Sequence, residues 1–164
     1  MFTTKNEQEF FFSHLNKNQK VLEWGSGQST LEIANRVKHL ISIEHDLEWY
    51  TKTKKNLPSN VTYYLREPGW SWKWSTPQPY DQFKTYIEEP MQNIDDGLFD
   101  IVFIDGVSRE NCASICKLIT HEESIVFIHD FLLDVPCRKK YASALNYLEK
   151  IDQVQSMAKF NVKR

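Results

Sequence analysis

The residues with the clearest chemical potential stand where short apolar runs of the sequence end. The stretch VLEWGSGQST, residues 21–30, places a carboxylate, Glu23, two positions before Gly25, and Gly27 follows closely. A second acid, Glu44, ends the apolar run LISI. Glycines after such a run let the backbone approach a bound ligand closely, because they lack a Cβ atom. These residues therefore indicate a ligand-binding turn with acids beside it.

The acids beside this turn favour a cationic ligand over a phosphate. A nicotinamide dinucleotide site has the pattern G-x-G-x-x-G with the pyrophosphate on a helix N-terminus, and Thr30 holds the sixth position here. The carboxylate of Glu23 would repel a pyrophosphate but attract a positive charge. S-adenosylmethionine carries an ammonium and a sulfonium group and no phosphate. Glu44 stands where an acid accepts hydrogen bonds from ribose hydroxyls, so the two acids fit this nucleoside.

The rest of the chain predicts the elements that hold these residues. Short apolar runs, which are typical of buried strands, alternate with segments whose apolar residues recur at helical spacing. This is the order of elements in a doubly wound α/β fold. We predict a mostly parallel Rossmann-like sheet in a three-layer α-β-α arrangement, forming one domain over residues 1–164. Ligands bind such sheets at the carboxyl ends of the strands. The predicted strands are 21–23, 40–43, 61–65, 99–104 and 124–128.

Local signals predict where the helices begin. Thr4 and Glu7 have capping-box spacing for a first helix, and Ser29 and Glu32 have it for a second. A third helix is predicted at 46–57, with an aspartate as its cap. Each predicted helix follows or precedes a strand, as a doubly wound sheet requires.

The cysteines indicate a buried helix face in a reduced protein. Cys112, Ile115, Cys116 and Ile119 fall at the spacing of one helical face. A metal pair from Cys112 and Cys116 is the alternative, but no second Cys or His pair completes a zinc set. Beyond this helix, residues 154–162 are predicted to form a final hairpin.

Between about residues 66 and 87 the regular pattern breaks. Trp70, Trp72 and Trp74 alternate with other residues, so in an extended segment all three indoles would point to one side. Long irregular insertions in compact domains commonly serve function. We predict that the indoles form a stacking wall for a ring-bearing or sugar substrate, in a lid over the strand ends. The alternative is a cluster that covers the sheet edge.

Composition and charge argue against several classes of function. The 164 residues include 20 Lys and Arg against 22 Asp and Glu, which gives a formal net charge of −2. These charges are interspersed, so the sequence lacks the electrostatic footprint of a nucleic-acid-binding protein. No apolar run is long enough to span a membrane, and the N-terminus is too polar for a signal peptide. We therefore expect a cytoplasmic protein with no membrane partner.

Four segments taken together resemble a small class I S-adenosylmethionine-dependent methyltransferase. They are VLEWGSGQST, LISIEHD, FDIVFIDG and IVFIHDF, and they lie between Val21 and Phe131. The resemblance implies S-adenosyl-L-methionine as cofactor, although Ser29 stands where many members have a third glycine. The cofactor-binding residues that it implies are Glu23, Trp24, Gly25, Ser26, Gly27, Ser29, Glu44, His45 and Asp105.

The resemblance also places the reacting methyl group near Asp105. Methyl transfer needs an in-line nucleophile, and a hydroxyl must be made more anionic by a base or a metal. We predict that Asp105, His129 and Asp130, at the ends of neighbouring strands, are the catalytic residues. His129 could be a base assisted by Asp130. Relatives similar to catechol O-methyltransferases hold Mg²⁺ at these strand ends, but imidazole is a poor ligand for a hard cation.

The predicted function is methyl transfer to oxygen of a small-molecule or glycan-type substrate. A cofactor-binding protein without activity is one alternative, which would be favoured if Asp105 and His129 pointed away from the cofactor. Each residue also has a structural alternative: Glu44 could pair with a lysine, and Asp105 could cap a helix near Ser108. The other alternative, a nucleic-acid methyltransferase, needs a basic surface. The basic residues beside the Trp segment are Arg66, Lys73 and Lys84.

Overall fold

The computed structural model describes residues 4–74 and 76–164 of the chain. Every predicted strand is present, and the first, second and fifth extend beyond their predicted bounds. The strands are β1 (Lys20–Trp24), β2 (His39–Glu44), β3 (Val61–Leu65), β4 (Phe99–Ile104), β5 (Thr120–Ile128), β6 (Leu148–Val154) and β7 (Met157–Val162). The α-helices are α1 (Lys5–Phe12), α2 (Gln28–Ala34), α3 (Leu47–Lys54), α4 (Lys84–Glu88), α5 (Arg109–Ser114) and α6 (Cys116–Ile119). Short 3₁₀ segments are Tyr80–Phe83, Glu89–Gln92 and Pro136–Asn146.

The seven strands form one sheet in the order β3-β2-β1-β4-β5-β7-β6. Strands β1 to β5 pair in parallel, whereas β7 is antiparallel to both β5 and β6. The predicted doubly wound α/β fold is confirmed. From β1 the chain moves outward to β2 and β3, and from β4 it moves the other way to β5. The adjacent ends of β1 and β4 are therefore the topological switch point, where sheets of this kind open a crevice for ligands.

Helices cover both faces of the sheet. On one face, α1 and α2 bury Phe11 and Ile33 against Phe103 and Phe127, and the ring centroids of Phe11 and Phe103 are 4.7 Å apart. The other face is covered by α4, α5, α6 and the segment Pro136–Asn146. Strands covered on both sides carry apolar residues on both faces, which explains why the sequence shows continuous apolar runs there. None of the helices in the described ranges has the length and apolar character that a membrane span requires.

Two helix boundaries differ from the predictions. The Ser29–Glu32 capping box is wrong, because α2 begins at Gln28 and Thr30 Oγ1 accepts the backbone N–H of Gly27 at 2.9 Å. The third helix ends at Lys54 rather than at 57. At the first helix Thr4 is the N-cap, as predicted, and its Oγ1 accepts the N–H of Glu7 at 3.2 Å.

The remaining segments also refine the predictions. Cys112 and Cys116 are free, buried thiols, as predicted, although the helix is interrupted at Ile115 between α5 and α6. The final hairpin exists, but it begins at Leu148 rather than at 154. In the irregular insertion, no helix or strand forms among described residues 66–74 and 76–79, whereas the residues after them form a 3₁₀ turn and α4.

Candidate functional site

A cleft of about 640 Å³ opens at the carboxyl ends of the parallel strands. Gly25, Glu44, Asp105 and His129, which follow or end β1, β2, β4 and β5, all line it. The cleft therefore lies at the switch point and gathers residues that are far apart in the sequence. The acids that line it are Glu44, Asp46, Glu48, Asp105 and Asp130. The Lys and Arg residues that line it are Lys52, Arg109 and Arg138.

The glycine turn packs backbone against backbone at the floor of the cleft. Gly25 has φ +91°, and a Cβ built there would lie 2.4 Å from the Cα and N atoms of Gly106. Gly106 is itself close to Tyr86, whose Oη would lie 2.0 Å from a Cβ at that position. The N–H of Asp105 donates to the carbonyl of Trp24 at 2.8 Å. The exits of β1 and β4 approach this closely only because both carry glycine.

Glu23 lies beneath this turn, behind the wall of the cleft. Its side chain is fully buried, and its carboxylate accepts hydroxyl hydrogen bonds from Ser29 (2.7 Å), Thr30 (2.7 Å) and Ser42 (2.6 Å). Thr30 in turn holds the N–H of Gly27. Burial raises the pKa of the Glu23 carboxyl to about 7, although the three hydroxyl donors oppose the shift. Glu23 thus ties the turn to the start of α2.

We expect this buried acid to make the folded protein less stable as the pH rises from about 4.5 to about 7. Over that range the unfolded chain has released the Glu23 proton while the folded chain keeps it, so folding must take up a proton. The pKa shift corresponds to about 3 kcal/mol. Urea unfolding at about pH 5 and about pH 8 should show this loss in the wild type and not in Glu23→Gln. The same pH dependence in both proteins would show that the loss of stability does not come from Glu23.

Glu44 ends β2 with its carboxylate surrounded by donors. One oxygen accepts the backbone N–H (3.0 Å) and hydroxyl (2.6 Å) of Ser26, and the other accepts the N–H groups of His45 (2.8 Å) and Asp46 (2.9 Å). His45 Nδ1 lies 2.8 Å from Glu44 Oε1. Burial alone would raise the pKa of Glu44, but His45, Ser26 and Asp46 outweigh it and hold that pKa below its ordinary value. Glu44 is therefore an anion at neutral pH.

Asp105 and His129 form a pair at the ends of β4 and β5. Asp105 Oδ1 lies 2.9 Å from His129 Nδ1, and the two side chains are 8% and 3% exposed. Burial raises the pKa of Asp105, but the hydrogen bond from His129 and the charge of Arg109 outweigh it and hold that pKa below its ordinary value. The second ring nitrogen, Nε2, lies 3.8 Å from Glu7 Oε1. The His129 ring is therefore held between two carboxylates.

Two guanidinium groups offset the acids of this region. Arg109 is 5% exposed and donates to the backbone carbonyls of Asp105 (3.0 Å) and His129. Its Nη2 lies 3.4 Å from Asp105 Oδ1, and its Nη1 lies 3.5 Å from Asp130 Oδ2. Arg138 donates to Asp130 Oδ1 at 2.7 Å. The catalytic acids predicted from the sequence are thus already paired with cations of the protein.

A magnesium ion does not fit this cluster. Within residues 4–74 and 76–164, Asp105, His129 and Asp130 are the one group of such side chains whose ligand atoms converge, within 4.8 Å of one another. Mg²⁺ prefers oxygen ligands, whereas one donor here is an imidazole that is hydrogen-bonded to Asp105. Arg109 and Arg138 would also repel a second positive charge at this distance. The cluster therefore lacks the ligand set of a magnesium site.

The structure divides the residues predicted to bind the cofactor. Those that line the cleft are Gly25, Ser26, Glu44, His45 and Asp105. The side chain of Trp24 is fully buried in the core, where Nε1 donates to the carbonyl of Tyr86 at 3.0 Å, so this side chain does not line the cleft. Gly27 and Ser29 line a separate groove between α1, α2 and α3. Glu23 lines neither space, so its carboxylate supports the turn from behind and does not face the ligand as the sequence analysis expected.

The three tryptophans of the insertion do not form one wall. Trp72 and Trp74 pack edge to face with ring centroids 4.9 Å apart, and both line the cleft. The ring of His45 lies 5.2 Å from that of Trp72. The backbone bends at Gly69 and Trp70, and Trp70 lines a separate groove that it shares with Trp72. Of the three predicted indoles, those of Trp72 and Trp74 line the cleft.

Among the residues that the sequence analysis missed, three charged ones contact the cluster of Asp105, His129 and Asp130. Arg109 had a usable signal, because it stands four positions after Asp105 and directly before a helical pattern. Arg138 had none, since its contact with the site depends on how Pro136–Asn146 packs. Glu7 was explained as a capping residue, yet its buried carboxylate accepts the N–H of Ser156 at 2.9 Å and faces His129. Both contacts join segments that are distant in the sequence.

Solved structures share this fold along almost the whole chain. A methyltransferase-like protein of Silicibacter pomeroyi superposes with a TM-score of 0.73 at 20% identity, covering 99% of this chain and 88% of that one. A Streptococcus mutans protein in complex with S-adenosylhomocysteine superposes with a TM-score of 0.66 at 10% identity, covering 99% of this chain and 100% of that one. Precorrin-8w decarboxylase of Methanobacterium thermoautotrophicum superposes with a TM-score of 0.63 at 16% identity, covering 96% of this chain and 89% of that one. No family model and no curated protein matches the sequence.

The sheet and these neighbours define the class of the fold. A seven-stranded sheet of order 3-2-1-4-5-7-6 with an antiparallel β7 is the fold of the class I S-adenosylmethionine-dependent methyltransferases. The resemblance noted in the sequence is confirmed at the level of the fold. Because the identities are low, the likeness concerns the fold alone, and the chemistry rests on the residues of the cleft.

Proposed function

We propose that the chain is an S-adenosylmethionine-dependent methyltransferase that methylates oxygen in a small-molecule or glycan-type acceptor. The observation that carries this proposal is that the cleft spans the ends of four neighbouring strands. Gly25 and Glu44 belong to β1 and β2 on one side of the switch point, and Asp105 and His129 follow β4 and β5 on the other. The volume of about 640 Å³ lies in the range of small-molecule sites. Such a cleft has room for a nucleoside and an acceptor next to each other.

The first side fits the cofactor. Glu44 is an anion that can accept hydrogen bonds from ribose hydroxyls, and the Gly25 turn brings backbone close to the methionine end. The cleft has five carboxylates against three Lys or Arg residues, which favours a cation over a pyrophosphate. When bound, the cofactor supplies an electrophilic methyl group on a positively charged sulfur.

The second side fits an acceptor hydroxyl. The Asp105 carboxylate lines the cleft as an anion and can take the hydroxyl proton as the new bond to carbon forms. His129 holds this carboxylate in place from behind through its Nδ1–H. Asp130 and the guanidinium groups of Arg109 and Arg138 then orient the polar groups of the acceptor. We propose Trp72 and Trp74 as the apolar wall for its ring.

We also propose that the acceptor is not a nucleic acid. Of the three basic residues beside the Trp segment, Arg66 is bound to the buried carboxylate of Glu89 at 2.5 Å. Lys73 and Lys84 alone would make few phosphate contacts, whereas nucleic-acid affinity depends on many. The formal net charge of −2 also disfavours binding to a negatively charged nucleic acid.

His129→Ala tests this division of roles. We expect turnover to fall by about 100-fold or more, because Asp105 loses the hydrogen bond that holds it. The affinity for S-adenosylhomocysteine should change by less than about threefold, since His129 stands on the acceptor side. Transfer of a labelled methyl group to a fraction of polar metabolites measures turnover, and calorimetry measures affinity.

A second His–Asp pair in the chain supplies the control for this experiment. His121 Nε2 lies 2.9 Å from Asp100 Oδ1 at the opposite end of β4 and β5, so His121→Ala should leave turnover unchanged. Equal turnover in wild type and His129→Ala would show that His129 is only structural. Cofactor binding without any methyl transfer by the wild type would favour the alternative of a binding protein.

A further inference from the structure

A second cavity adjoins the cleft on the far side of one indole. It has a volume of about 510 Å³ and lies between the Trp-rich segment, α5 and the 3₁₀ segment Pro136–Asn146. Trp74 lines both spaces, and its side chain is 62% exposed. A ligand seated in the cleft could therefore extend past this indole into the second cavity.

Gln78 is fixed in the wall of this cavity with its amide donor unused. Its side-chain carbonyl accepts the N–H of Ser108 at 2.7 Å, and its backbone carbonyl accepts the side-chain amide of Asn111 at 2.9 Å. The residue is only 4% exposed. Its Nε2 is buried and has no hydrogen-bond partner in the part of the chain that the structure describes. A buried donor left unpaired costs free energy, so a fixed one in a cavity wall points to a ligand.

Glu110 supplies the complementary group in the same wall. Its Oε2 is buried, and residues 4–74 and 76–164 offer it no donor. Lys140 also lines the cavity, so the formal charges of Glu110 and Lys140 cancel. The cavity thus combines an amide donor, a carboxylate acceptor, an ammonium group and the exposed indole of Trp74.

We propose that this cavity binds an uncharged, hydroxyl-bearing ring, such as a sugar unit. Each hydroxyl both donates and accepts, so hydroxyls of the ring can pair with Gln78 Nε2 and with Glu110 Oε2 once a small shift of the cavity wall opens these buried atoms to the ligand. The C–H face of such a ring can pack on the indole of Trp74. Because the formal charges of Glu110 and Lys140 cancel, the cavity has no net charge that would favour an anionic ligand, and a wholly apolar one would leave both polar groups unpaired. Only the further step, that this ring is the distal part of the acceptor, rests on the proposed function.

Cys137 provides a reporter for this cavity. It lines the cavity and is exposed, whereas Cys112 and Cys116 are buried, so a thiol reagent reacts at this one position. We would measure the rate of alkylation by N-ethylmaleimide in the presence of maltose, cellobiose or chitobiose, with gluconate as an anionic comparison. A neutral sugar at about ten times its Kd should slow alkylation roughly tenfold, and gluconate should not.

Two variants decide whether the named groups hold the sugar. Gln78→Leu and Glu110→Gln should each raise the sugar concentration for half protection about tenfold, which corresponds to about 1.4 kcal/mol. Glu149→Gln, on the exposed edge strand β6, removes the same charge elsewhere and should leave protection unchanged. Glu110→Gln is nearly isosteric, so it still decides the question if Gln78→Leu does not fold.

The proposal is overturned if no neutral sugar slows alkylation, or if both variants are protected as well as the wild type. Titration of the same proteins with S-adenosylhomocysteine runs in parallel. Because Gln78 and Glu110 do not line the cleft, that affinity should be equal in all of them. If the wild type binds S-adenosylhomocysteine but no sugar protects it, the proposal for this cavity fails while the proposed function stands.

Discussion

Replacement of Gly25 by alanine should destabilise the protein by about 4 kcal/mol or more, the largest effect that we expect from one methyl group. Gly25 has φ +91°, a region that L side chains adopt at a cost of roughly 1–2 kcal/mol. The added Cβ would also lie 2.4 Å from backbone atoms of Gly106, which cannot rotate away. The exits of β1 and β4 would then have to separate, and the floor of the cleft would move with them.

Gly27 is the matched control for this change. Its backbone is extended, and a Cβ there would meet only the indole of Trp49, at 3.8 Å. Gly27→Ala should therefore cost about 1 kcal/mol, the usual difference between glycine and alanine at a helix N-cap. Urea unfolding of the two variants measures both values. Similar losses in Gly25→Ala and Gly27→Ala would show that the close approach of the strand exits does not exist.

Glu44→Ala should weaken the binding of S-adenosylhomocysteine by about 10- to 100-fold. A hydrogen bond from a ribose hydroxyl to a carboxylate is worth about 1.5–3 kcal/mol, and this bond would be lost. Glu44 can accept it because the Ser26 hydroxyl, which now bonds to it, also lies 2.5 Å from Tyr63 Oη and can turn to that partner. The variant would also lose the hydrogen bonds that tie the glycine turn to the end of β2.

Glu48 is a control of equal charge for the Glu44 experiment. It also lines the cleft, but its side chain is 79% exposed and pairs with Lys52 at 2.6 Å. Exposed pairs contribute little, so calorimetry should find that Glu48→Ala changes the affinity by less than about threefold. If both variants lost affinity equally, the effect would be one of overall charge, and Glu44 would not be the ribose acid.

The strands and the switch point were predictable because buried parallel strands are apolar on both faces. Strands β3 and β4 have their predicted bounds, and Asp46 caps α3 with its side chain as expected. The acids at the strand ends could be found for the same reason, since an apolar run marks where each strand stops. The fold rule then placed Glu44, Asp105 and His129 at one edge before any contact was known.

The direction of individual side chains could not be predicted in the same way. When both faces of a strand are buried, the apolar pattern does not say which face a residue joins, so Trp24 could not be assigned to the core. The bend at Gly69 and Trp70 depends on tertiary contacts, such as the hydrogen bond from the N–H of Gly69 to the carbonyl of Gln82 at 2.7 Å. Contacts of Glu7 and Arg138 also join distant segments, which local spacing does not encode.

Calorimetric titration of the wild type with S-adenosylhomocysteine and with NAD⁺ tests the central claim most directly. The cleft offers an acid for ribose and a net excess of carboxylates, which disfavours a pyrophosphate. We predict one S-adenosylhomocysteine per chain with a Kd in the micromolar range, about −8 kcal/mol, and NAD⁺ binding at least about 100-fold weaker. Absence of S-adenosylhomocysteine binding, or tighter binding of NAD⁺, would contradict the assignment of this cleft.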